Sequence, residues 1–272
     1  MGHPSVGVLG AGSMGEIFAS GLLRAGWQAD DLTLAVRRPE RASDLTHSTG
    51  IACVMSVVEA SEGRDVLIVS VKPKDVAAVL ASIGPSTTPD QIVISIAAGV
   101  PIATFEEALV GVPIVRAMPN TPSAVDLGMT AYTAGTTVDD HQREQARSVL
   151  GAVGDTIELS EDLLDAVTAV SGTGPAYVFL LAESLIEAAI REGLPHHAAE
   201  RLVHQTLRGS GELLATSDKS AFRLRGEVTS PGGTTAAAMH VLEEGGFRAL
   251  IEDAVQSAAR RSRELGARTT PT

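Results

Sequence analysis

Apolar and polar positions along this chain fall into two regimes. Up to about residue 160, short β-branched runs alternate with longer amphipathic stretches. Runs such as VLIVSV and IVISI are apolar at successive positions, the pattern of strands covered on both faces. The predicted strands are residues 6–9, 32–36, 50–53, 66–71, 92–96, 112–116, 129–133 and 155–159, with helices that include 14–25, 75–83 and 139–150. Strand–helix alternation with short turns predicts an α/β fold, a Rossmann-type doubly wound parallel sheet.

From Glu161 onward the strand pattern stops. The stretch AYVFLLAESLIEAAI, residues 176–190, is apolar around nearly its whole circumference, so a helix there must be buried on all sides. In so small a helical domain, a second subunit is the easiest cover, and a homodimer through the C-terminal helices is expected. A central helix within one chain is the alternative. Further helices are predicted over 195–215, 234–244 and 247–265, with a fraying tail from Gly266. The expected organisation is a dinucleotide-binding domain, 1–160, and an all-helical domain for substrate binding and dimerisation, 161–272.

Composition narrows the partners. A net charge of −12 argues against nucleic acid, which needs a basic face. Cys53, the single cysteine, can form neither an internal disulfide nor a cysteine metal site, and it is read as a small residue at a strand end. His196 and His197 are adjacent on a predicted helix and diverge, so no metal is expected. No leader pattern and no apolar run of membrane-span length is apparent. The expectation is a cytoplasmic protein with no membrane partner.

Candidate chemistry begins at VGVLGAGSMG. Gly10, Gly12 and Gly15 follow the first strand and open a helix, with Ala11, Ser13 and Met14 between them. Gly10 permits the tight turn, Gly12 lets backbone approach a pyrophosphate, and Gly15 lets the helix pack close to the strand. An NAD enzyme usually carries an acid at the end of the second strand for the ribose 2′-hydroxyl. This sequence reads LAVRRPE there, and Arg37 and Arg38 suit a 2′-phosphate by charge and fork geometry. Two solvated arginines at a helix start are the alternative. The missing acid and the added bases point to NADPH, with NADH less preferred. Two more loops sit at strand carboxyl ends, where open α/β sheets bind ligands: Ser70, Val71, Lys72 and Pro73, and then Ala97, Ala98 and Gly99. Asn120 either lines the cofactor pocket or makes an Asn-Thr-Pro turn. Arg116 either meets a phosphate or caps a helix.

In the helical half, SGTGPAYVF (171–179) and VTSPGGTT (228–235) stand out. The second places Ser-Pro-Gly-Gly before a helix that opens with two threonines, and such a loop aims N–H groups and hydroxyls at one point. It is either a carboxylate seat or an ordinary helix start.

GAGSMG, SVKP, ISIAAGVP, RAMPNTP, SGTGPAYVF and VTSPGGTT occur in the order seen in pyrroline-5-carboxylate reductases, and the chain resembles that family from about Val6 to Glu264. The resemblance implies hydride transfer from NAD(P)H to 1-pyrroline-5-carboxylate, giving L-proline in the last step of proline biosynthesis. It implies a dimerising helical domain, with dimers assembling into decamers. It implies that Ser230, Gly232, Gly233, Thr234 and Thr235 hold the substrate carboxylate, with Thr235 the direct contact and the candidate catalytic residue. Ala97, Ala98 and the Ser70–Pro73 turn carry over as cofactor contacts. Where many members have an asparagine touching the adenine ribose, this chain reads MSVVE with Val57, which leaves one ribose hydrogen bond in question.

Two rival readings remain. A β-hydroxyacid dehydrogenase shares the glycine–methionine motif but needs a lysine in its helical half for proton transfer. The lysines here are Lys72, Lys74 and Lys219, none of them between residues 166 and 190. A non-catalytic NADP-binding sensor has no use for a complete SPGGTT loop.

Overall fold

The computed structural model describes residues 2–267. All eight predicted strands form, as β1 (Val6–Leu9), β2 (Leu32–Ala35), β3 (Ala52–Val54), β4 (Val66–Val69), β5 (Ile92–Ser95), β6 (Ile114–Met118), β7 (Gly128–Ala134) and β8 (Gly154–Glu158). The helices are α1 (Ser13–Arg24), α2 (Pro39–Thr49), α3 (Val57–Ser61), α4 (Val76–Ile83), α5 (Ile102–Ala108), α6 (Asp140–Gly151), α7 (Leu164–Val167), α8 (Gly174–Arg191), α9 (His196–Thr216), α10 (Ala221–Glu227), α11 (Thr234–Glu244) and α12 (Phe247–Ala267). The strands make one sheet in the order β3-β2-β1-β4-β5-β6-β7-β8.

Successive strand residues point to opposite faces, and both faces are covered. Val8 pairs with Leu34 on one side and Ile68 on the other, and Ile68 pairs with Ile94. This row packs with Phe18 and Leu22 of α1 and Val149 and Leu150 of α6. On the opposite face Leu9, Leu67, Val69 and Val93 meet Leu80 and Ile83 of α4 and Phe105 of α5. Two apolar faces explain why the strands read as continuous apolar runs.

One pair departs from the expected parallel sheet: β6 and β7 run antiparallel. Parallel neighbours need a crossover of about a dozen residues or more, and the link here is little more than the 3-10 turn Thr121–Val125. Asp126 ends that turn at φ 58°, and Arg24 of α1 donates to both of its carboxylate oxygens at 2.7 and 2.6 Å.

The chain divides into two compact units. One runs to Thr173 and takes in the chain again from Ala258; the other is Gly174–Ser257. The first unit therefore extends past the expected boundary at residue 160, for identifiable reasons. Glu161 Oε1 accepts from the Ile102 N–H and from Arg116 Nη1, both at 2.8 Å, so Arg116 is an ion-pair partner within this unit. Leu164 and Ala169 are buried, and Ser262 of α12 donates to Asp165 at 2.5 Å. Gly266 is helical within α12; the rest of the expected fraying tail, beyond residue 267, lies outside the described residues.

In the second unit α8 and α9 pack along one another. The all-round burial expected of α8 is not supplied by this chain: none of its residues is buried, and Phe179 and Leu180 are 62% and 63% exposed. Contrary to the sequence expectation, the helical stretch Glu161–Arg191 is long and apolar enough to cross a membrane by length and composition alone. Glu183 and Glu187 lie within it, and carboxylates are costly in hydrocarbon; with α9 alongside, the stretch fits a protein interface better.

Replacing Phe18, fully buried between sheet and helix, is expected to cost about 3–5 kcal/mol as Phe18→Ala. A lowered urea midpoint with an unchanged denaturant slope is the measurement that checks it.

Candidate functional site

Strand order reverses between β1 and β4: β2 and β3 lie to one side of β1, and β4 to β8 lie to the other. Such a switch point leaves a crevice outside the strand carboxyl ends. A cavity of about 620 Å³ opens there, lined by the turns that follow β1, β2, β4 and β5.

The first turn supplies Gly10, Ala11, Gly12, Ser13 and Met14. Gly10 has φ 102°, and a Cβ on it would lie 2.5 Å from Val71 Cγ1. Gly15 sits behind the cavity wall, where a Cβ would lie 2.8 Å from the Gly10 carbonyl oxygen and 3.1 Å from Val8 Cγ1. Its bare Cα is what lets α1 press against β1. At Gly12 the situation is reversed, since a Cβ there meets nothing within 4 Å. Gly12 is the N-cap of α1 and brings no side chain to its first-turn N–H groups, so the helix end suits an anionic group. From the β4 turn come Ser70, Val71, Lys72 and Pro73. Ser70 Oγ donates to the Gly10 carbonyl at 2.6 Å and ties the two turns together. Ala97 and Ala98 close the β5 side.

Arg37 and Arg38 both line the cavity at the end of β2. Arg37 Nη2 is paired with Asp75 Oδ2 at 2.6 Å. Two charged lining residues were not anticipated from sequence, Arg41 and Asp75. Arg41 was open to prediction, lying in the first turn of the helix that begins at Pro39; it is ion-paired with Glu16 of α1. Met55 and Val57 form an apolar wall, so the position where many family members carry asparagine faces the cavity without a polar group.

Two expected cofactor residues lie elsewhere. Gly99, at φ 76°, sits against the end of α12, where a Cβ would come 3.2 Å from the Gly266 nitrogen. Asn120 is 9% exposed. Its Oδ1 accepts from the Met129 N–H at 2.9 Å and its Nδ2 donates to the Ser171 carbonyl at 3.1 Å. The amide thus joins the turn after β6 to β7 and to the π-helical turn Thr168–Gly172.

The second unit holds the other candidate group. Gly232 has φ 68°, the left-handed region that favours glycine. The Gly233 N–H donates to the Ser230 carbonyl at 3.1 Å, and a Cβ on Gly233 would lie 2.4 Å from Ser230 Oγ. Gly233 is the N-cap of α11, again without a side-chain cap. Ser230, Gly232 and Thr234 are exposed, while Gly233 and Thr235 are half-buried. A helix start of this kind, with two threonine hydroxyls beside it, can hold a carboxylate without any basic side chain.

A glycine turn into an uncapped helix, at the switch point of an open sheet, defines a dinucleotide-binding protein of the Rossmann class. Comparison with known proteins agrees and goes further. Residues 5–99 match the family described as NADP oxidoreductase, coenzyme F420-dependent, and residues 161–265 match pyrroline-5-carboxylate reductase dimerisation. A pyrroline-5-carboxylate reductase of Mycobacterium tuberculosis is 42% identical, with 99% of each chain covered. One from Arabidopsis thaliana is 36% identical over 96% of this chain and 95% of its own. Among solved structures, the pyrroline-5-carboxylate reductase of Coxiella burnetii superposes with a TM-score of 0.91 at 35% identity, covering 100% of both chains. That of Plasmodium falciparum, with NADP bound, gives 0.88 at 31% identity over 98% of this chain and 99% of its own. The chain belongs to the pyrroline-5-carboxylate reductase family, and it is an NAD(P)-binding oxidoreductase.

The contrast between Gly12 and Gly15 can be tested directly. Gly12→Val is expected to leave the melting temperature nearly unchanged and to weaken dinucleotide binding by roughly tenfold or more, about 1.4 kcal/mol. Gly15→Val is expected to destabilise the fold itself by about 1–3 kcal/mol or more. Calorimetric titration beside thermal melts separates the two.

Proposed function

We propose that this protein reduces 1-pyrroline-5-carboxylate to L-proline with NADPH as preferred donor, NADH serving less well. The observation that carries this reading is the uncapped start of α11 behind Ser230–Gly233, a carboxylate seat in a chain that also carries a dinucleotide crevice. The bound nicotinamide supplies the hydride. The chain's own part is to bind and orient: Gly10, Gly12, Ser13 and Met14 face the pyrophosphate, while Ala97 and Ala98 leave backbone open to the nicotinamide ring. Ser230, Gly232, Gly233, Thr234 and Thr235 hold the substrate carboxylate, with Thr235 in direct contact. A cyclic imine protonated on nitrogen is already electrophilic, so positioning and exclusion of water account for much of the rate. No protein group is assigned as proton donor.

Arg37 and Arg38, standing where NAD enzymes place an acid, support the preference for a 2′-phosphate, and Arg41 adds a third guanidinium at the same rim. In this reading residues 1–160 serve the dinucleotide and residues 161–272 the carboxylate and the subunit interface, although the compact units divide at Thr173 and Ala258. The bare apolar surface of α8 supports a homodimer, and decamers built from such dimers are the further assembly that the family resemblance implies. A cytoplasmic setting accords with an enzyme of amino-acid biosynthesis.

Loss of reduced-nicotinamide absorbance with 1-pyrroline-5-carboxylate, measured with NADPH and NADH in parallel, is expected to show proline formed in equal amount and faster with NADPH. No turnover despite demonstrated dinucleotide binding would favour the sensor reading. Thr235→Ala is expected to raise KM for the imine roughly tenfold or more, the worth of a hydrogen bond to a charged group, with NADPH affinity unchanged. An unchanged KM would remove Thr235 from the substrate site. Arg37→Asp combined with Arg38→Ala should weaken NADPH far more than NADH, and equal losses would sink the 2′-phosphate assignment.

A further inference from the structure

We propose that Asp75 sets how strongly this enzyme discriminates between NADPH and NADH, because its carboxylate competes with the cofactor's 2′-phosphate for Arg37. The proposal rests on the assignment of the arginine rim to that phosphate and adds an opposing residue to it.

The pair is placed across the crevice. Arg37 follows β2 and Asp75 follows β4, and β1 lies between those strands in the sheet. Their ion pair therefore spans from one side of the glycine turn to the other, and both residues line the cavity. The two partners are unequal. Asp75 ends the short Pro73–Asp75 turn, with its N–H donating to the Lys72 carbonyl at 2.8 Å, and its side chain is 24% exposed. The Arg37 side chain is 71% exposed and reaches Asp75 through one hydrogen bond, Nη2 to Oδ2. The carboxylate is thus the fixed member and the guanidinium the movable one. Exposed pairs of this sort hold weakly, so a stronger acceptor can take the arginine away.

A phosphate monoester near neutral pH is such an acceptor, with more charge than a carboxylate and a geometry that matches the guanidinium fork. To gain Arg37 it must displace Asp75 and then stand near an unpaired negative charge. Arg41 is likewise already engaged, by Glu16. The 2′-hydroxyl of NADH makes no claim on Arg37 and leaves the pair intact. Asp75 therefore penalises one cofactor and is indifferent to the other, which is how an opposing charge adjusts specificity. The arginines set the direction of the preference, and Asp75 limits its size.

The test is a titration of the full-length protein with NADPH and with NADH by calorimetry, which needs no turnover. The variants are Asp75→Asn, Arg37→Ala, the double variant, and Arg38→Ala. Asp75→Asn is expected to tighten NADPH by roughly two- to fivefold, the range of a weak exposed pair, with NADH unchanged. The gain should shrink between about 0.1 M and 1 M salt as screening sets in. It should also vanish in the Arg37→Ala background. No change, an equal change for both cofactors, or a gain that persists without Arg37 would each overturn the competition. A wild-type protein that binds the two cofactors equally, with Arg38→Ala altering both alike, would sink the cofactor reading and this proposal together. An NADPH-preferring wild type with an indifferent Asp75→Asn would sink only the role of Asp75.

Discussion

The crevice is set by how closely α1 approaches β1 and β4. At Gly15 a single added carbon would press on Val8, on the Gly10 carbonyl and on Ser70 at once. Because that carbon is absent, α1 starts directly at the end of β1, and its first N–H groups stand at the mouth of the sheet. The Ser70 hydroxyl holds the same Gly10 carbonyl, so the turn after β4 is located relative to the turn after β1. With the two innermost turns fixed, the ends of β2 and β5 can only fall on the flanks. Binding surface and core packing are therefore one constraint, since the residues that shape the cavity floor also let the helix seat.

Charge around the cavity is more balanced than a count of arginines suggests. Three guanidiniums line it, yet Arg37 and Arg41 each already meet a carboxylate. At partly exposed sites such pairs are weak, which keeps the side chains ordered without locking them. Two further anchors are a nearly buried neutral amide and an ion pair whose guanidinium is largely covered. Asn120 joins β7 to the π-helical turn, and the Arg116–Glu161 pair ties β6 to the start of the helical segment.

The second unit shows a different economy. Its longest apolar helix, α8, has no buried residue within this chain, although its composition calls for cover on every side. An exposed surface of that kind is unfavourable in water, and the dimerisation family that matches residues 161–265 supplies the physical answer, a second copy. A helix that reads as a core element and also passes for a membrane span by composition fits the dimerisation family that this segment matches.

Much of the first unit was legible in the residues themselves. Strand positions, the glycine turn and the switch from strand to helix near residue 160 follow from periodicity and turn chemistry, which act within a few residues along the chain. Gly10, Gly12, Arg37, Arg38 and the Ser70–Pro73 turn could be proposed as one site because every such turn in this topology ends on the same edge of the sheet. The antiparallel turn of β7, the retention of residues 161–173 and the end of α12 by the first unit, and the inward-facing amide of Asn120 were not legible. Nor was the meeting of Arg37 with Asp75, residues 38 apart in sequence. Those features depend on which strands become neighbours and on which side chains then fall within a few ångströms. Local pattern along the chain sets the elements and the chemistry carried on their ends; the pairings wait on the fold, because only the strand order brings distant charges and amides into contact.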